Sequence, residues 1–227
     1  MITIAVAQPR CTAYDVAANA QAHAEVVRAA GARVVVFPEM SLTGYHFDAP
    51  EVSFDLLEPL VRACAETGSV ALAGGPVAGP SIGVLEVSGS GARVAYRKVC
   101  LGPLEAVCFE PGPGPAVVEV DGVRLGLAVC RDTGVPRHAA DTAALGVDAY
   151  VAGVLEHEED GGVVDQRARR VAGDHGVWVA TASFAGSTGE GFSRAAGGSG
   201  IWDPSGEPVA TAGPGVGAVA SAVLGRR

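Results

Sequence analysis

The segment Arg33-Val34-Val35-Val36-Phe37-Pro38-Glu39-Met40 runs three valines into a phenylalanine and is closed by a proline. A short β-branched run with a hard stop reads as a strand buried on both faces, here over 33–37. Glu39 follows at once, so a carboxylate stands at the end of a buried strand. The same grammar returns in Leu125-Gly126-Leu127-Ala128-Val129-Cys130-Arg131-Asp132, where the apolar run ends on a thiol. Two similar strand–helix–strand halves, packed sheet to sheet, are the expectation.

Working outward, Ile2–Ala7 is a β-branched run ended by Gln8-Pro9, and Asp15 caps a helix over Val16–Ala30 that Gly31 stops. A second helix is expected over about 50–67, ended by Gly68, with strands at 69–73, 81–87 and 92–97. Strands at 116–120 and 123–129 flank Asp121-Gly122, the signal of a type I′ hairpin. Helices over 136–145 and 163–175 alternate with strands at 148–154 and 177–183. Strands at 200–202 and 208–211 flank the turn Asp203-Pro204-Ser205-Gly206, and 218–224 is the last strand. The stretch 186–200 reads as a loop placed over a site. Alternating strands and helices with some hairpins make an α/β fold.

Composition narrows the class. The 227 residues are 48% hydrophobic and 18% charged, which fits a globular chain read as one domain over 1–227. Sixteen basic against 25 acidic residues give a net charge of −9, which argues against nucleic acid or an anionic membrane as partner. No signal peptide or spanning segment is supported. Five cysteines, scattered without CxxC pairing, suit a reducing cytoplasm. Lys98 is the single lysine, and no glycine loop precedes it, so a phosphate-binding GK[ST] loop is excluded.

Three polar residues sit at strand ends. Burial at such a position raises the pKa of Glu39 toward that of a general base. Cys130 is a candidate nucleophile at the carboxyl edge of a sheet. Lys98, ending the strand 92–97, offers a compact ammonium to an oxyanion. Taken singly, each has a plain alternative: a turn glutamate, a structural cysteine, a solvated lysine. The cluster His157-Glu158-Glu159-Asp160 lacks metal-ligand spacing and reads as a solvated loop.

Taken together, in the order Glu39, Lys98, Cys130, they resemble the nitrilase (carbon–nitrogen hydrolase) superfamily. The likeness runs through Ala5-Val6-Ala7-Gln8-Pro9, Val36-Phe37-Pro38-Glu39-Met40-Ser41-Leu42-Thr43-Gly44-Tyr45, Tyr96-Arg97-Lys98, Phe109-Glu110-Pro111-Gly112, the Cys130 segment and Gly198-Ser199-Gly200-Ile201-Trp202-Asp203-Pro204-Ser205-Gly206. It implies a four-layer αββα sandwich of two sheets flanked by helices, and a Glu39–Lys98–Cys130 centre with no metal and no organic cofactor. Glu105 matches a second family glutamate that orients the lysine and substrate. Tyr45 and Arg131 are assigned to substrate binding, Arg131 as a carboxylate fork or, alternatively, as an internal ion-pair partner of Asp132 or another acid. The implied activity is hydrolysis of a non-peptide C–N bond, in a small amide or an N-carbamoyl compound, through a cysteine thioester. Nitrile hydrolysis and a catalytically silent binding subunit stand as alternatives, as does a Cys–His hydrolase using His138, His157 or His175. A homodimer is implied. Three departures fall near the site: Arg131 where relatives carry an aromatic or Asn, Gly134 where C-x-D-x-R-x-P has arginine, and Ser183-Phe184 where Asn-Arg is frequent.

Overall fold

The first half of the chain forms β1 (Ile2–Ala7), α1 (Val16–Ala30), β2 (Val34–Val36), α2 (Glu58–Thr67), β3 (Val70–Val77), β4 (Ser81–Ser88), β5 (Gly91–Arg97) and α3 (Glu105–Cys108). The second half begins with β6 (Val117–Val120), β7 (Val123–Val129), α4 (Arg131–Gly134), α5 (Pro136–Ala143), β8 (Ala149–Val154) and α6 (Gly162–His175). It ends with β9 (Trp178–Ser183), β10 (Ala185–Gly186), β11 (Ala195–Ala196), β12 (Gly200–Trp202), β13 (Pro208–Thr211) and β14 (Val219–Leu224). This computed structural model describes residues 1–225; Arg226 and Arg227, in the tail that follows the last expected strand, lie outside the described residues.

One sheet has the order β14-β1-β2-β3-β4-β5 and the other β13-β12-β9-β8-β7-β6. Each has three parallel strands at its heart, β1/β2/β3 and β7/β8/β9, joined by helical crossovers and flanked by antiparallel neighbours. Strand side chains alternate between faces, which separates the core into three slabs. Ile4, Val6, Val34, Val36 and Leu72 meet Leu125, Leu127, Val129 and Val151 between the sheets. Ala5, Ala7, Val35 and Ala71 pack outward on Ala20, Ala24 and Leu60 of α1 and α2. Tyr150, Ala152 and Val179 pack on Ala139, Val164, Ala168 and Val171 of α5 and α6. The result is the αββα sandwich. Each fully buried Val or Leu is worth about 1.5–3 kcal/mol. The exposed ion pairs, such as Arg28–Glu66, are worth less than about 1 kcal/mol each, so apolar burial carries the fold.

Local signals held where local chemistry decides. Asp15 accepts the Ala18 N–H at 2.9 Å, and Gly31 takes the left-handed conformation that ends α1. Asp121 and Gly122 both have positive φ, 52° and 74°, as a type I′ turn requires. The expected helix over 50–67 is shorter: a 3-10 turn at Phe54–Leu57 precedes α2, whose Pro59 lies in the first turn. A proline ring is accepted there but not deeper in a helix. The strand expected at 69–73 is β3 and runs on to Val77, and the expected loop 186–200 is pinned by the small ribbon that Ala185–Gly186 makes with Ala195–Ala196. Among the described residues no helix is long and apolar enough to cross a membrane.

The turn after β2 is gripped from both sheets. A Cβ on Gly74 of β3 would lie 2.5 Å from the Pro38 carbonyl oxygen and 2.6 Å from the Met40 nitrogen. A Cβ on Gly153 of β8 would lie 2.7 Å from the Phe37 oxygen and 2.9 Å from the Glu39 nitrogen. Backbone this close leaves room for hydrogen alone, and the turn itself cannot yield without moving Glu39. Gly153→Ala is expected to destabilise the fold by about 1–3 kcal/mol through overpacking. Denaturant unfolding checks this, and a midpoint equal to that of the unsubstituted protein would show that the turn is not confined.

Candidate active site

Glu39, Lys98 and Cys130 each leave a strand at the same end of the sandwich and open into one cavity of about 370 Å³. Lys98 stays in the ladder past the end of β5: its N–H donates to Ile82 O and its carbonyl accepts the Gly112 N–H, both at 2.8 Å. Its side chain is buried to 1% exposure, and its ammonium donates to Glu39 Oε1 at 2.7 Å and to Glu105 Oε1 at 2.6 Å. Glu105, at the start of α3, also accepts the Tyr45 hydroxyl at 2.6 Å and the Gly102 N–H at 2.6 Å. One cation thus sits between two carboxylates in a nearly dry site.

The two carboxylates differ in their support, and their pKa values part accordingly. Burial pushes Glu39 up to about 7; the Lys98 charge pulls it down, while Glu105 pushes it further up. Burial also raises Glu105, but the Lys98 charge, the Gly102 N–H and the hydrogen bonds of Lys98 and Tyr45 together hold it below the ordinary carboxylate value. Burial works against the Lys98 ammonium and is outweighed by Glu39, Cys130 and Glu105, so its pKa is raised. Two acids pushed apart in this way divide the work: Glu105 stays ionised and Glu39 can exchange a proton near neutrality.

Cys130 lies at the end of β7 with φ 39° and ψ −97°, a conformation strained for a residue with a side chain. Its surroundings over-determine it. The Cys130 carbonyl accepts both the N–H and the hydroxyl of Thr133, at 2.9 and 2.7 Å. Buried Asp132 accepts the Val129 N–H at 2.9 Å, the Tyr96 hydroxyl at 2.7 Å and the Cys100 N–H at 2.8 Å. One carboxylate therefore ties the thiol-bearing turn to the segment that carries Lys98. Burial raises the thiol pKa well above its ordinary value, Glu39 and Glu156 add to this, and Lys98 opposes them.

Arg131, the first residue of α4, is exposed, lines the cavity and makes no ion pair among the described residues. The expected alternative of a pair with Asp132 is absent because Asp132 points inward to its three donors. Tyr45 lines the cavity with its ring, but its hydroxyl is spent on Glu105. His138 is locked between the Tyr96 and Tyr150 hydroxyls at 2.8 and 2.9 Å, and His157 stacks on Phe192 at 4.0 Å. The sulfur's own partners are Leu155 O and the Glu156 carboxylate. Among the described residues no group of three or more His, Cys, Asp or Glu side chains has metal-binding geometry. Two site residues escaped the reading of the sequence, Glu156 and Arg167. Glu156 comes just after the apolar run of β8, so the rule that found Glu39 and Cys130 also points to it; Arg167, on a helix, carries no such mark.

The carbon–nitrogen hydrolase family profile matches residues 3–224. A hydrolase of Mycobacterium tuberculosis is 33% identical over 92% of this chain and 85% of its own length. An amidase from Nesterenkonia sp. AN1 superposes with a TM-score of 0.87 at 24% identity, covering 99% of this chain and 93% of the amidase. Nit3 of Saccharomyces cerevisiae, described as a member of branch 10 of the nitrilase superfamily, superposes at 0.84 with 23% identity, covering 98% and 89%. Further structures of the Nesterenkonia amidase show acrylamide added at its active-site cysteine and butyramide in complex. From the strand-end grammar to the near full-length family match, these findings agree that the chain belongs to the carbon–nitrogen hydrolase family.

Proposed function

We propose that this protein hydrolyses the C–N bond of a small amide or N-carbamoyl compound through a thioester on Cys130. The observation that carries the reading is the Lys98 ammonium held between Glu39 and Glu105 on the wall of the cavity into which Cys130 opens. Glu39 takes the thiol proton as Sγ bonds to the carbonyl carbon. The tetrahedral oxyanion is met by the Lys98 ammonium and the Arg131 backbone N–H, which, at the first turn of α4, has no acceptor within its own helix. Protonated Glu39 then passes its proton to the nitrogen, the C–N bond breaks, and ammonia or an amine leaves. Water, deprotonated by Glu39, adds to the thioester; the carboxylic acid departs and the proton returns to sulfur.

The Nesterenkonia amidase, crystallised with butyramide, supports amides over nitriles as the substrate class. A Cys–His mechanism finds no support in the sulfur's partners. A silent binding subunit is disfavoured by the intact ion cluster, which is expensive to bury without a use. We assign a homodimer from the family resemblance, with sedimentation velocity as its test. A reducing, cytoplasmic setting fits the five unpaired cysteines.

Ammonia release across a panel of small amides, ureido acids and nitriles tests the activity, with Cys130→Ala as the control that abolishes it. Lys98→Arg is expected to lose roughly a hundred- to thousandfold in kcat, the usual consequence of a lost oxyanion donor. Full activity in that variant would refute the oxyanion role. Since Glu39 must be ionised to accept the thiol proton and is pushed up to about 7, kcat/KM should rise with pH through about 7 and level off above it. Glu39→Gln should remove this limb and lower kcat by at least about a hundredfold. A flat profile for the unsubstituted enzyme between pH 5 and 8 would contradict the assignment of Glu39 as base.

A further inference from the structure

The proposed mechanism uses Glu39 and leaves a third carboxylate beside the sulfur without a task. The Cys130 S–H has the Leu155 carbonyl oxygen as its nearer acceptor, at 3.3 Å, and Glu156, two residues past the end of β8, places Oε1 3.8 Å from the same sulfur. The same oxygen accepts from Arg167 Nη1 of α6. Their side chains are 16% and 27% exposed, and both line the cavity, so the pair is half-hidden rather than a surface accident. Arg167 packs directly on Gly134: a Cβ there would lie 3.2 Å from Arg167 Nε and 3.3 Å from Cζ. A long side chain at 134 would occupy the guanidinium's position. The Gly134 departure noted in the sequence therefore has a spatial counterpart, an arginine brought in from another helix.

We propose that the Glu156–Arg167 pair guards the nucleophile, with the Glu156 carboxylate beside the sulfur opposing thiolate while Arg167 limits how strongly it does so. The charged groups around the sulfur are Glu39 after β2, Lys98 after β5 and Glu156 after β8. Glu105 on α3, Arg131 on α4, Arg167 on α6 and the loop residues His157 and Glu190 line the same cavity further off. Lys98 favours thiolate and the two nearer carboxylates oppose it. A protonated sulfur resists oxidants and stray electrophiles, since the thiolate is the species they take. Substrate attack does not need a standing thiolate when Glu39 removes the proton during bond formation. Arg167 acts through Glu156 and is a positioning residue. The inference takes Cys130 as the nucleophile of the reaction proposed above, but its test needs no turnover.

The two halves of one ion pair should give opposite results. Glu156→Gln, isosteric and neutral, removes the like charge and leaves Arg167 uncompensated, so the thiolate gains. Arg167→Gln leaves Glu156 unopposed, so the thiolate loses. The readout is the rate at which methyl methanethiosulfonate, which carries no amide, modifies Cys130 at pH 7.5. Peptide mass spectrometry separates Cys130 from Cys11, Cys64, Cys100 and Cys108. A shift of about one pKa unit changes the thiolate fraction about tenfold and its nucleophilicity about threefold the other way, so rates should change about threefold. Glu156→Gln should be faster and Arg167→Gln slower than the unsubstituted protein. A pair important only for shape would move both in one direction. Same-direction changes, or no change in Glu156→Gln, overturn the proposal; if Arg167→Gln does not fold, Glu156→Gln alone decides. Opposite shifts in a protein that hydrolyses no member of the amide panel would uphold the guard and sink the hydrolase reading.

Discussion

A single ammonium clamped between two buried carboxylates is the constraint to which the rest of the structure answers. An isolated charge taken out of water costs several kcal/mol, and Lys98 is 1% exposed. Two contacts of 2.6–2.7 Å offset that cost, yet they leave the cluster with one negative charge too many. The excess cannot be shared evenly. Glu105 has a backbone N–H and a tyrosine hydroxyl to stabilise its charge, whereas among the described residues Glu39 has Lys98 as its one hydrogen-bond donor. The proton therefore goes to Glu39, and a structural solution to burying a lysine doubles as a base poised near neutrality.

The architecture exists to deliver these ends to one place. β2 and β7 belong to the parallel hearts of opposite sheets, and Glu39 and Cys130, just past their carboxyl ends, line one cavity. Gly74 and Gly153 let both sheets close on the turn that carries Glu39. Asp132 does the equivalent on the other side, binding the strained Cys130 turn to the backbone two residues beyond Lys98. The apolar slab between the sheets sets the spacing and these polar ties set the aim. Neither alone would hold a thiol with positive φ in line with an ammonium.

What the sequence made legible follows from how local each feature is. β1 and α1 were read to the residue, because a β-branched run, an Asp cap and a Gly stop act within a few residues. Glu39, Lys98 and Cys130 stood out because polar residues interrupt buried strands there. The hydrogen-bond partners of Tyr45 and Asp132 were not legible: Glu105 and the Tyr96–Cys100 segment lie dozens of residues away and are met only through packing. Arg167 was hidden for the same reason, since an arginine on a polar helix face looks solvated until Gly134 is seen to make room for it. The helix expected over about 50–67 begins only at Glu58, where Pro59 lies in the first turn, the one place in a helix that accepts its ring.

The division of charge between Glu39 and Glu105 is where the account stands or falls. A ¹³C-NMR titration of the glutamate side-chain carboxyls, assigned with Glu39→Gln and Glu105→Gln, measures it directly. Glu39 is expected to titrate near pH 7 while Glu105 remains ionised to below the ordinary carboxylate range. Both groups titrating together near pH 4, or Glu105 holding the proton in place of Glu39, would contradict it.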